Sequence, residues 1–176
     1  MNRKLQTILI SSACFFSAVS FAAITEVTAP TDAQILEIVR SVNNAEISAG
    51  ELAKKSKNKI VVKFADHMTI AHKDSNIAVK KISQKLDLPA QNSSTSEKLQ
   101  LDTGNQFVEL KKLSGADFDR TYVDDQVKDH ALVLKNLDDT LIPSAKSTEV
   151  KALLKDTRTA VVAHLDHAKK VQSEIK

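Results

Sequence analysis

The chain has 176 residues, a formal net charge of +3, one cysteine, one tyrosine and no tryptophan. So small a positive balance, with almost no aromatic rings to stack on bases, argues against nucleic-acid binding. Three glycines and three prolines in a chain rich in Ala, Leu, Lys and Glu point to an all-α protein and away from a sheet.

Met1 to Ala22 reads as a secretory signal peptide. Arg3 and Lys4 make a short basic start, Ile8 to Val19 is apolar, and Ser20-Phe21-Ala22 brings small residues to the cleavage position. A membrane span needs about 18 to 20 apolar residues; this run is shorter and is interrupted by Ser11, Ser12 and Ser17. The expectation is therefore a periplasmic or secreted protein with no transmembrane segment in its mature chain. Cleavage after Ala22 also removes Cys14, so disulfides and thiolate metal sites are not expected. The alternative, lipidation of Cys14, has Ala13 in its favour but meets Ser11 where an aliphatic residue is wanted. Loss of Arg3 and Lys4 takes Lys+Arg from 25 to 23 against 22 Asp+Glu, a net charge near +1.

Residues 23–31 form a short lead, and residues 32–176 suffice for one domain with a core of its own. Thr31 is the expected N-cap of a first helix, with Gln34 placed for a capping box. Its apolar stripe runs through Ile35, Ile38, Val39, Val42, Ala45, Ala49, Leu52 and Ala53. Ser56 to Asn58 is a polar break, Asn58 being the next N-cap. A second helix follows along Val61, Phe64, Met68, His72, Ser75, Val79, Ile82 and Leu86 and stops before Pro89. The short connection makes the two antiparallel neighbours. Pro89 to Ser96 reads as loop. Glu97 to Leu113 regains a weak helical rhythm through Leu99, Phe107 and Leu110. The whole stretch from Leu88 to Ala116 is long enough to run back along the molecule, since a helix of about 27 residues is roughly 40 Å long. One long crossover between the second and third long helices is expected. The third long helix starts near Asp117 and turns Phe118, Tyr122, Val123, Val127, His130, Leu134, Leu137 and Leu141 inward, ending before Pro143. The fourth carries Val150, Leu153, Leu154, Thr157, Ala160, Val161, His164, Ala168 and Val171 on one face.

Height along each helix is the informative quantity. With bounds of about 32–56, 58–87, 116–142 and 148–175, Glu46, His72, His130 and His164 each lie within about three residues of a midpoint, roughly 4 Å of axial rise. In helices of matched length, midpoints share a level, so the four side chains are expected to converge in one buried layer. Three imidazoles and a carboxylate are a competent ligand set for Zn, Fe, Cu or Mn. Asp119, Tyr122, Gln126, Asp125 and Asp129 are candidate partners to orient the rings. The alternative is a metal-free polar layer whose histidines bond one another, Glu46 or Tyr122. His67 and His167, each following an aspartate, read as facing outward or toward a bundle edge. There is no Gly-rich phosphate loop, nucleophile elbow or H-E-x-x-H, so hydrolase and nucleotide chemistry have no residues to stand on.

Ala45-Glu46 with Gly50, Phe64-Ala65 with Met68 and His72, F-D-x-x-Y-x-x-x-Q-V-x-x-H from Phe118 to His130, and His164-Leu165 with Ala168 together resemble an exported bacterial family, the domain of unknown function 4142. The resemblance covers about Asp32 to Val171 and is most specific in the Phe118–His130 motif. It implies a ferritin-like four-helix bundle and carries the label of predicted outer membrane protein. One departure is Ala71, where the family usually has an acidic residue just before the histidine. The two E-x-x-H motifs of ferritin-like di-iron proteins are also missing, which speaks against oxidase or ferroxidase chemistry. The expected function is a metal-binding or stress-related module and not a fast enzyme, with a structural or protein-interaction role as the alternative.

Overall fold

A computed structural model describes residues 29–175. Its elements are α1 (Asp32–Ala53), α2 (Lys59–Lys85), α3 (Ser94–Leu110), α4 (Gly115–Asn136), a π-helical turn (Leu137–Leu141), the short α5 (Ile142–Ser144) and α6 (Thr148–Glu174). The described residues are all-helical, without a strand. No helix among them is long and apolar enough to cross a membrane. The signal-peptide reading of Met1 to Ala22, and the lead up to residue 28, lie outside the described residues.

The caps follow from side chains placed to satisfy the first free backbone N–H groups. Thr31 Oγ1 accepts from the Gln34 amide at 3.3 Å while Gln34 Oε1 accepts from the Thr31 amide at 3.0 Å, a reciprocal capping box. Asn58 Oδ1 accepts from the Ile60 amide at 3.0 Å and starts α2. The expected loop through Ser96 is shorter than the composition suggests. Ser93 and Ser96 cap each other, each hydroxyl accepting from the other's amide, so helix begins at Ser94. Gly115 reverses the chain from α3 into α4 with a φ of +59°, a conformation that favours glycine.

The third long helix does not end before Pro143, as its sequence suggests; it continues past it to Ser144. Proline has no N–H to give the carbonyl four residues back, and its ring crowds that carbonyl. The chain accommodates this by a π-helical turn immediately upstream, in which the Ile142 N–H reaches the Leu137 carbonyl five residues earlier.

Cross-helix pairs fix how the helices run. Asn43 bonds Ser75 and Lys54 meets Asp66, so α1 and α2 are antiparallel. Lys85–Glu149 at one end and Phe64–His167 at the other set α2 against α6. Arg158–Asp138 and Gln172–Asp124 do the same for α6 and α4. Glu46–Gln126 and Ser56–Asp119 tie α1 to α4. α3 lies on α1, where Gln100 donates to Ser41 Oγ at 2.9 Å beside Glu37, a buried carboxylate held by both Nε and Nη2 of Arg40. The Asp32 carboxylate accepts from the Lys146 and Ser147 amides, joining the start of α1 to the start of α6.

The apolar core is in two parts. One gathers Ile35, Leu36, Val39, Val79, Leu137, Leu141 and Leu154; the other gathers Ala53, Val61, Phe64, Met68, Tyr122, Val123 and Ala168. Between the two parts every long helix turns polar side chains inward: Asn43 and Glu46, His72, Gln126 and His130, then His164. This displaces the buried face of α1 from the expected stripe. Val42, Ala45, Ala49 and Leu52 are only half-buried, while Asn43, Glu46 and Gly50 point inward. Ala160, expected inside, is exposed. At Gly50 the backbones of α1 and α2 come close: a Cβ there would overlap the Thr69 hydroxyl and stand 3.2 Å from the Ala65 carbonyl oxygen.

Candidate metal centre

α2, α4 and α6 each turn one histidine into the layer between the two core parts. His72, His130 and His164 are all buried, and one ring nitrogen from each lies within 4.8 Å of the others. Their ring centroids are 5.3 Å (His72–His164), 5.5 Å (His130–His164) and 5.8 Å (His72–His130) apart. Imidazoles on one tetrahedral ion, with metal–nitrogen bonds of about 2.1 Å, have centroids about 5.2 Å apart. The rings thus stand at nearly ligating separation.

The hydrogen bonds decide which nitrogen His72 and His130 offer. His72 Nδ1 is 2.9 Å from Asn43 Oδ1, and His130 Nδ1 is 2.9 Å from the backbone carbonyl of Gln126. A carbonyl oxygen only accepts, so the His130 Nδ1–H donates to it and Nε2 is the nitrogen left to offer. Asn43 spends its amide N–H groups on Ser75 Oγ at 2.9 Å and Asn76 Oδ1 at 3.0 Å, which leaves its oxygen to accept from His72 in the same way. His72 Nε2, His130 Nε2 and His164 Nδ1 are buried with no partner within the protein. An unpartnered buried polar atom costs about 1 to 3 kcal/mol, and here three converge.

Burial, reinforced by His130, His164 and His67, lowers the His72 pKa to about 3. Burial likewise lowers His164 to about 4, with His130, His67 and His167 adding to it. Both rings are neutral at neutral pH, the state in which imidazole ligates a metal.

Glu46 stands beside this trio and not within it. Its carboxylate accepts from Gln126 Nε2 at 2.6 Å. Burial raises its pKa, and the neighbouring His130 ring opposes the rise. Gln126 therefore serves twice, its side chain on Glu46 and its carbonyl on His130, in keeping with the orienting role expected of it. Tyr122 is buried against Phe64 and Phe118, its hydroxyl without a partner within the protein and its pKa raised well above the ordinary value by burial and then Glu46. Asp119 is placed elsewhere. Its carboxylate accepts from Ser56 Oγ at 2.6 Å, eleven residues and roughly 16 Å of helix away from His130. Asp129 accepts from Gln106 of α3 and has its pKa raised by burial. Asn43 was not singled out by sequence reasoning. Its signal was available: it falls four residues after Val39 and three before Glu46, on the buried face, where an amide needs partners.

No curated protein matches the chain, and no solved structure does. Over residues 17–171 it matches the family described as a domain of unknown function, DUF4142, and the chain belongs to that family.

Proposed function

We propose that this chain is an exported, ferritin-like four-helix bundle that binds one divalent transition-metal ion through His72, His130 and His164, with Glu46 as the adjacent carboxylate. The pairings around α1, α2, α4 and α6 support the bundle reading, with α2 and α4 parallel and α3 lying in a long crossover. Export to the periplasm or beyond rests on the sequence of Met1 to Ala22.

The observation that carries the metal reading is the convergence of three unpartnered ring nitrogens on one another. A purely structural layer gains nothing from leaving three buried ring nitrogens without partners, whereas a cation uses all three. The donor set narrows the expected ions. Three imidazole ligands favour Zn or Cu over Mn, whose preference is for carboxylate and water oxygen. Glu46 is the carboxylate nearest to hand to offset the charge of a bound dication.

The test is thermal unfolding of metal-stripped mature protein titrated with Zn, Cu, Mn and Fe(II). An ion at about a thousand times its Kd adds about 4 kcal/mol to stability, and His130→Ala combined with His164→Ala abolishes that gain. Absence of a shift with every ion overturns the metal reading in favour of a structural or interaction module with a metal-free polar layer.

A further inference from the structure

The chain has five histidines, and all five form one connected run of rings. From the buried trio, His164 meets His67 with centroids 5.6 Å apart, and His67 meets His167 at 5.4 Å. The run passes from His72 and His130, buried, through His164 to His167, half-buried, and His67, exposed. Every step lies between 5.3 and 5.8 Å, the separation at which two imidazoles share or hand over one ion. Helical spacing explains the arrangement: on α2, His67 lies five residues before His72, and on α6, His167 lies three after His164, so the outer pair sits about one turn further along the contact between these helices, where His67 is exposed.

We propose that His67 and His167 form a loading station through which a divalent cation reaches the buried trio, being passed to His164 by exchange of imidazole ligands. This rests on the metal reading above. A closed core needs such a route because a hydrated dication cannot shed its water into apolar packing without ligands to replace it. Each ring along the run replaces one water as the next is lost. The station binds weakly. It offers two rings against the trio's three, and the surface groove that His167 lines carries three lysines, Lys59, Lys63 and Lys170, against one carboxylate, Glu174, so the balance of charge there opposes a resident cation. Weak holding is what a station requires, since a tight outer site would trap the ion.

The test follows Zn2+ loading of the full mature protein by stopped flow with a chromophoric chelator, and release by chelator challenge. His67→Gln with His167→Gln is expected to slow loading and release by the same factor, while the equilibrium Kd and the stoichiometry of one stay within a factor of two. A station lowers the barrier in both directions and leaves the end state unchanged. Unchanged rates overturn the proposal. Faster release with weaker Kd also overturns it, because that identifies His67 or His167 as a ligand of the final site. If wild-type protein takes up no Zn2+, the metal reading itself fails, and this proposal with it. Circular dichroism of the metal-free double variant confirms its fold, and both substituted positions are accessible enough to tolerate glutamine.

Discussion

His72 donates from Nδ1 to the Asn43 side-chain oxygen at 2.9 Å, and this bond between α1 and α2 leaves Nε2, buried and unpartnered, as the nitrogen His72 can offer beside His130 and His164. Asn43 is anchored in turn by Ser75 and Asn76, so the ring is held from two sides. Orienting partners of this kind are worth 10- to 100-fold in metal affinity. Asn43→Ala is expected to weaken Zn binding by about that factor and to lower apoprotein stability by about 1 to 3 kcal/mol. Competition titration against a chelator and denaturant unfolding check the two effects separately.

Glu46 and Gln126 separate a ligand role from a supporting one. Glu46→Gln preserves an oxygen acceptor for Gln126 but removes the charge. If the trio alone holds the ion, a metal-induced thermal shift survives in this variant; if Glu46 ligates, the shift disappears. Gln126→Ala leaves the Glu46 carboxyl without its 2.6 Å partner and should cost about 1 to 3 kcal/mol of apoprotein stability. Chemical denaturation in metal-free buffer reads that loss directly.

Acid should destabilise the metal-free protein earlier than carboxylate titration alone would. His72 and His164 are depressed to about 3 and about 4 in the folded state, while in the unfolded chain they titrate near 6.5. Between those limits the unfolded state binds protons that the folded state refuses, so stability falls as pH drops below about 6.5. Each group contributes up to about 1.4 kcal/mol per pH unit over that window. Unfolding free energies from pH 7.5 to 4.5 should show this slope, and His72→Gln with His164→Gln should flatten it.

Gly50 is the contact point between α1 and α2. In an open helix Gly→Ala would stabilise by about 1 kcal/mol. Here the added methyl meets Thr69 and the Ala65 carbonyl, and overpacking costs about 1 to 3 kcal/mol. Gly50→Ala is expected to lower the melting temperature, and adding Thr69→Ala to recover part of the loss, because Thr69 Oγ1 has no hydrogen-bond partner to forfeit. A melting temperature at or above that of wild type in the single variant would show that the helices can separate at this point without cost.

Where local chemistry decides structure, the sequence was legible. Thr31 with Gln34, and Asn58, mark their helix starts because capping needs only residues two or three apart. The depth of His72, His130 and His164 followed from the apolar residues one turn either side. What escaped depended on neighbours distant in the chain. The buried face of α1 was placed too far toward Val42 and Ala45, because hydrophobicity alone cannot announce that Asn43 will find Ser75 and His72 opposite. Asp119 looked like a partner for His130 from its shared helix, but three turns and the pull of Ser56 put it at the other end. Pro143 looked like a stop because a π turn, which absorbs it, leaves no mark in composition. His67 and His167 read as facing outward or toward a bundle edge, in keeping with an exposed His67 and a half-buried His167, but that their rings adjoin His164 and each other depends on the approach of α2 to α6.

Because two separate apolar clusters flank the histidine layer, the molecule behaves as two hydrophobic lobes joined at a polar waist. Each lobe buries its own side chains and can loosen without exposing the other, so amide hydrogens at the two ends of one helix should exchange on different schedules. A cation clasped at the waist by α2, α4 and α6 would rivet the lobes together and merge those schedules into one.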